Sequence, residues 1–266
     1  MDLKESIMGD KIVSAKDWSL KKIISEAWEK VDGFKGVFWG AIFLLLAIVI
    51  GMMVVRVLVI FLSALVLPGF LTIGLDFATM LVFMVLLQGF VAGRLMISIS
   101  RAKGKSFTVS QLFEYLQFKL LMKLLLLMIV YFASVIVLVG IVGLCTVYPF
   151  QHSMTAMVIF QIFYFLTSIV FGMAMFLAFA QVVDQGKPVF SSYWHGFRLV
   201  LANFFKMVVA YLFTIAVVIA GALLLLVGLV WALPYIELMC AMIYRELCCP
   251  GESASVSIEV EENKPK

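Results

Sequence analysis

Between Lys123 and Asp184 the chain carries no Asp, Glu, Lys or Arg, a run of 60 residues. A helix needs about 20 apolar residues to cross a hydrocarbon core of about 30 Å. Sixty uncharged residues therefore read as two membrane spans and a turn. Pro149-Phe150-Gln151-His152-Ser153 supplies the polar break. This places span three at about Leu121 to Val147 and span four at about Thr155 to Ala180.

The rest of the sequence has the same character. Of 266 residues 64% are hydrophobic and 14% charged, against about 25% charged in an ordinary soluble domain. Too little polar sequence exists to cover a water-facing surface. A soluble globular protein, a disordered chain and a disulfide-rich secreted domain are all excluded. From Gly36 to Val55 runs a first uncharged block of 20 residues, followed by Arg56. Val57 to Leu75 is uncharged, then comes Asp76, then Phe77 to Gly93, closed by Arg94. Pro68-Gly69 is the natural turn. Span one is expected over Val37 to about Val57 and span two over about Leu71 to Met96. Leu58 to Leu67 is too short for another span and either extends span one or lies at the interface. Lys206 and Arg245 enclose 38 residues, about 57 Å of helix, too long for one crossing and just enough for two. Span five is expected at about Phe204 to Val227 and span six at about Leu233 to Cys248, with a re-entrant course for span six left open.

The expected architecture is all-α and polytopic: six transmembrane helices in three hairpins, at about 36–96, 121–180 and 204–248, after a cytoplasmic segment 1–35. The first 35 residues lack the apolar core of a secretory signal, so span one is expected to direct insertion. Residues 250–266 hold four Glu, several Ser and no aromatic residue, and read as a disordered cytoplasmic tail. Nineteen of the 20 Lys and Arg lie in or beside segments on one side, Arg56 being the exception. By the positive-inside rule both termini are expected to be cytoplasmic.

Three segments on that side resemble one another. Each runs from a polar turn through an amphipathic helix into a span, and each helix is expected to lie in the headgroup layer. The first begins at Ala15-Lys16-Asp17-Trp18 and carries Ile24, Ala27, Trp28, Val31 and Phe34. The second begins at Gly104, with Thr108 and Gln111 spaced as a capping box, and carries Val109, Leu112, Phe113, Leu116 and Leu120. The third begins at Gly186-Lys187-Pro188, with Tyr193, Trp194, Phe197, Val200, Leu201 and Phe204 as its apolar face. These helices either cap the bundle or form a basic, lipid-sensing or partner-binding platform. Ala27-Trp28, Val109-Ser110-Gln111-Leu112-Phe113, Val182-Val183-Asp184-Gln185-Gly186, Ser191 to Asn203, and Pro234 with Ile243-Tyr244-Arg245 carry a family resemblance. Through them the chain resembles the YciC-type inner-membrane proteins and the related membrane domain of some glycerophosphodiester phosphodiesterases. The resemblance implies a six-span bacterial membrane fold and no established active site.

Charges inside spans are costly and mark candidate sites. Arg56, Asp76 and Glu237 are the three. Arg56 and Asp76 flank one turn and have the spacing to pair; otherwise Arg56 snorkels and Asp76 caps a helix. Glu237, 8 residues before Arg245, is the candidate proton, ion or headgroup site, or pairs structurally with a polar neighbour. Gly36-x-x-x-Gly40 and Gly89-x-x-x-Gly93 are expected to let the first hairpin close by tight helix contact. His152 and His195 have no acidic or thiol partner at ligand spacing, and Cys145, Cys240, Cys248 and Cys249 show no metal or disulfide pattern. No HExxH, GxSxG or P-loop occurs. No catalytic residue, metal, cofactor or nucleic-acid partner is expected. The function expected is a non-enzymatic scaffold or accessory subunit in envelope or lipid homeostasis, with membrane lipids and a membrane protein as partners. The alternative is a small transporter or lipid-handling permease using the intramembrane charges.

Overall fold

The computed structural model describes residues 18–150, 154–224 and 227–249. Every described element is a helix. In chain order they are α1 (Leu20–Lys30), α2 (Lys35–Val66), α3 (Gly69–Ala102), α4 (Gln111–Glu114), α5 (Phe118–Phe150), α6 (Met154–Gln185), α7 (Val189–Ala202), α8 (Phe204–Leu223) and α9 (Leu229–Cys248). Residues 15–17 of the first repeat, residues 151–153 of the polar break and the tail from residue 250 lie outside the described residues.

Five helices are long and apolar enough to cross a membrane: Lys35–Val66, Gly69–Ala102, Phe118–Ile141, Met157–Gln185 and Phe204–Leu223. The protein is thus of a kind compatible with multi-pass insertion. Several run beyond the expected spans. The 32 residues of α2 amount to about 48 Å, well over the hydrocarbon thickness. Leu58 to Leu67 continues α2 almost to its end. Pro68 then forces the change of direction, because the residue before a proline is pushed out of the α region; Leu67 is extended, with φ −104° and ψ 148°. α9 differs from the five. Its 20 residues include Glu237, Arg245 and Glu246, and it is the most enclosed long helix, with eleven buried residues including Pro234, Leu238, Met242 and Tyr244.

Burial is lopsided along the bundle. α3 is buried from Gly89 to Ala102, α6 from Ile169 to Val183 and α5 at Leu121, Leu124 and Leu127. Together with α9 and the short helices α1, α4 and α7 these segments make one core at the end we call basal. At the other, distal end, Phe61, Leu65, Val66, Phe70, Ile73, Ile136 and Ile159 point outward. Such bare apolar surface is what lipid covers. At the basal end α3 and α6 stop at Gly104 and Gly186, which adopt φ +72° and +66°, the left-handed conformation that glycine takes up at little cost.

The repeat is less regular than the sequence suggests. Its second helix is a single turn, α4, and the capping box does not form. Thr108 Oγ1 bonds the Ser110 hydroxyl at 2.7 Å, and the residue before α4 makes no side-chain cap. Packing decides this. A Cβ on Gly93 would stand 2.6 Å from Leu112 Cα, so the backbone of this segment lies directly on α3, and Leu112 is fully buried. The paired small-residue motifs therefore do not close on each other. Gly89 and Gly93 receive residues 111–121, whereas a Cβ on Gly36 would meet nothing. α7 also departs from its expected face. It buries Val189, Ser192, Gly196, Leu199 and Val200 against its neighbours, with Gly196 set so close to α6 that a Cβ would stand 2.7 Å from the Ala174 carbonyl. Trp194 and Leu201 face outward.

Candidate functional site

The three charges expected inside spans divide between two places. Arg56 on α2 and Asp76 on α3 pair across the distal turn, with Arg56 Nε and Nη2 donating to Asp76 Oδ1 at 2.9 and 2.6 Å. Their side chains are 36% and 39% exposed, so the pair sits on the surface of the bundle. Glu237 is elsewhere. Arg94, its partner, stands 18 residues along α3 from Asp76, which is about 27 Å of helix.

Glu237 belongs to the interface of α3 and α9. Arg94 Nη1 donates to Glu237 Oε2, and Ser98 Oγ donates to Glu237 Oε1 at 2.7 Å. One turn separates Arg94 from Ser98 on α3, so both reach the same carboxylate. The Glu237 side chain is only 13% exposed and Arg94 27%. The carboxylate is thus enclosed and already holds a cation and a hydroxyl. In a low-dielectric setting such a neutral unit fixes how two helices register.

Two further polar groups seal the basal end. Arg245, buried on α9, forms a fork with Glu26 of α1: Nη1 to Oε1 at 2.8 Å and Nη2 to Oε2 at 2.9 Å. Nη1 also donates to the Ala102 carbonyl at 2.6 Å and Nη2 to Glu246 at 2.8 Å. A bidentate guanidinium–carboxylate pair is among the stronger polar contacts. Burial would raise the Glu26 carboxyl, yet hydrogen bonds from Arg245 and Lys30 outweigh it and hold the group at about 2, against an ordinary 4.5. Arg101 ties the α1–α2 turn down by donating to the carbonyls of Lys30 and Asp32. The other group joins α3, α6 and α9. Lys103 Nζ donates to both oxygens of Asp184, at 3.0 and 2.7 Å, and Tyr244 Oη donates to Asp184 Oδ2 at 2.7 Å. Gln185 Nε2 donates to Tyr244 Oη at 3.0 Å and to the Cys248 carbonyl at 3.2 Å.

α9 is fixed at its other end by a backbone defect. Pro234 has no N–H, so the carbonyl of Val230 loses its helical donor. Trp39 of α2 replaces it, with Nε1 donating to the Val230 oxygen at 2.9 Å. The Lys35 ammonium lies 3.0 Å from the centroid of the neighbouring Trp231 ring, a cation–π contact.

The structure therefore brings Arg56 and Asp76 together and sets Glu237 apart. Arg94, Ser98, Glu26, Arg245, Lys103, Asp184 and Tyr244 were not singled out from the sequence. One signal existed for Arg94: six residues without charge, Leu95 to Ser100, follow it, which puts it inside an apolar run and not at its end. Among the described residues no group of three or more His, Cys, Asp or Glu is placed to hold a metal ion. No protein-family model, curated protein or solved structure matches the chain.

Proposed function

We propose that the protein is a multi-pass membrane scaffold or accessory subunit without an enzymatic activity of its own, serving envelope or lipid homeostasis in a bacterial inner membrane. The observation that carries this reading is the use made of the charges. Arg56, Arg94, Lys103 and Arg245 are each committed to a carboxylate that joins two helices: the Arg56–Asp76 pair lies about 27 Å along α3 from Arg94–Glu237, and each of the three pairs in the basal half is closed on its own partner. A transport site needs ionisable groups directed at a shared path. The resemblance to the YciC-type proteins, which brings no active site with it, points the same way.

In this reading six helices lie in the membrane as three pairs: α2 with α3, α5 with α6, α8 with α9. The basal end is cytoplasmic, as its excess of Lys and Arg favours, and with it both termini. The third pair is shallower than the first. Val230 in the first turn of α9 sits beside Trp39 in the second turn of α2, and α2 continues for 27 residues to Val66, about 40 Å of helix. α8 and α9 then enter and leave by the basal side, and their turn stops short of the far face. Single-cysteine labelling with a membrane-impermeant maleimide tests this topology. Leu67→Cys reacts from outside intact cells, while Ser106→Cys and Leu224→Cys do not. Labelling of Leu224→Cys from outside would make the third pair a full crossing. Purification from native membranes, with mass spectrometry of what accompanies the protein, tests the scaffold reading. A stoichiometric membrane-protein partner supports it. A single solute that is lost in Glu237→Gln overturns it in favour of a permease.

A further inference from the structure

We infer that the basal ends of α5 and α7 form a docking surface for one anionic phospholipid of the surrounding bilayer, its phosphate held by Lys119, Lys123 and Lys187. The inference rests on the proposed placement of the basal end at headgroup level. Lys119 and Lys123 are four residues apart on α5 and share a face. Lys123 Nζ donates to the Gly186 carbonyl at 2.9 Å, which brings α5 against the α6–α7 turn and sets Lys187 beside it. A carbonyl does not cancel an ammonium charge, so Lys123 remains a cation there. Lys119 and Lys187 have no ion-pair partner among the described residues. Among the described residues the opposing charge is small: Asp184 is taken by Lys103 and Tyr244, Glu246 by Arg245, and Glu114, five residues before Lys119, is exposed. α7 starts at the same place with no side-chain cap and no acidic residue in its first turn, so its helix dipole adds to the positive field.

Charge alone would suit any small anion. The apolar neighbours narrow the choice. Phe118, adjoining Lys119, and Phe190, three residues from Lys187, are 76% and 65% exposed. Two bare rings beside three ammonium groups match a molecule with an acidic head and hydrocarbon tails. Interfacial aromatic residues with basic neighbours are the usual means of holding such lipids.

The test uses the full chain in nanodiscs of phosphatidylcholine containing a minority of phosphatidylglycerol, extracted gently and weighed intact by native mass spectrometry. The intact protein is expected to retain phosphatidylglycerol in excess of its share, and Lys123→Gln with Lys187→Gln to lower that excess about 25-fold, since each lysine at an anionic surface is worth about fivefold. Lys21→Gln with Lys22→Gln on α1 keeps the excess. Equal retention by the two double variants overturns the proposal, as does displacement of the lipid by millimolar inorganic phosphate, which would mark a site for a soluble anion. Should the lysine variant fail to fold, the intact protein decides: the excess falls as salt is raised if the lysines hold the phosphate, and is unchanged if they do not. The cysteine-labelling pattern reports the placement of the basal end separately, so a failed lipid result with intact topology counts against the docking surface alone.

Discussion

Arg94 and Glu237 stand 143 residues apart in the chain and share one enclosed ion pair, which fastens α9 to α3. Its energetics are asymmetric. An ion pair buried with good geometry adds little net stability over apolar residues of the same size, but removing one member strands the other. Glu237→Gln and Arg94→Gln are each expected to cost about 3–5 kcal/mol. The joint replacement Arg94→Met with Glu237→Met should cost less than either. Thermal unfolding in detergent, followed by circular dichroism, measures all three. A double variant as damaged as the sum of the singles would mean that the two residues act independently.

Glu26 gives the basal end a dependence on acid. Its carboxyl is held at about 2 in the fold and returns to about 4.5 when the chain unfolds. A carboxylate lowered in this way contributes its full stability above the unfolded value, and the contribution fades as pH falls through the folded one. The intact protein should therefore be more stable than Glu26→Gln by a constant margin above about pH 4.5, and the margin should shrink steadily toward pH 2. Unfolding midpoints of both proteins across that range check the sign. A margin that grows on acidification would contradict the Arg245 fork as its source.

The glycines on α3 separate close packing from chance spacing. A Cβ on Gly93 would meet the backbone of Leu112 and Gln111 at 2.6–2.8 Å, and backbone cannot step aside. Gly93→Ala is expected to cost about 1–3 kcal/mol as overpacking. Gly36→Ala, with nothing near its Cβ, should be neutral or slightly stabilising, since alanine loses less freedom on folding. Parallel melting curves compare the two. Equal losses would show that the motif matters through spacing and not through contact.

These glycines also show what the sequence could and could not disclose. The helical class and the runs that become α2, α3, α5, α6 and α8 follow from where charges are missing, because lipid tolerates few of them. The pairing of Arg56 with Asp76 was also within reach, since one tight turn separates them. The Arg94–Glu237 and Glu26–Arg245 pairs were not. Each joins residues far apart in the chain, and only the packing of α9 between α1 and α3 creates them. The segment around α4 reads in the sequence as a full interfacial helix but forms a single turn, for a related reason. Its periodicity is helical, but the bare backbone of Gly89 and Gly93 draws Leu112 inward and leaves room for only one turn.

Arg56 and Asp76 allow a test of lipid exposure. The pair lies half exposed on the distal half of the first two long helices, where its surroundings are apolar. A lone charge at the middle of a membrane helix costs about 2.5–3.5 kcal/mol on insertion-based scales, and less toward the interface. Asp76→Asn should therefore lower the yield of inserted protein and its melting temperature. The exchanged pair Arg56→Asp with Asp76→Arg should recover most of both. Membrane-fraction immunoblots and melting curves give the readout. Failure of the exchange to recover either would place the two side chains in different surroundings.

Trp39 and Pro234 provide the most specific prediction, because one contact explains the presence of the other. The missing N–H of Pro234 leaves the Val230 carbonyl without its helical donor, and the Trp39 indole supplies one at 2.9 Å. Trp39→Phe keeps an aromatic ring beside α9 but removes that donor. The contact lies on the surface of the bundle, which faces lipid in the proposed placement, and an acceptor left unsatisfied there costs about 1–3 kcal/mol, so Trp39→Phe should lose roughly that much. Pro234→Ala restores a backbone N–H to the helix and lets Val230 bond internally. In that background Trp39→Phe should cost much less, since the carbonyl no longer depends on the indole. A double-mutant cycle on thermal stability isolates the difference from whatever each change does to packing. Coupling of at least about 1 kcal/mol is the expected result. Zero coupling would mean that the indole stabilises α9 by burial alone, and that water or lipid headgroups satisfy Val230 when Trp39 is absent.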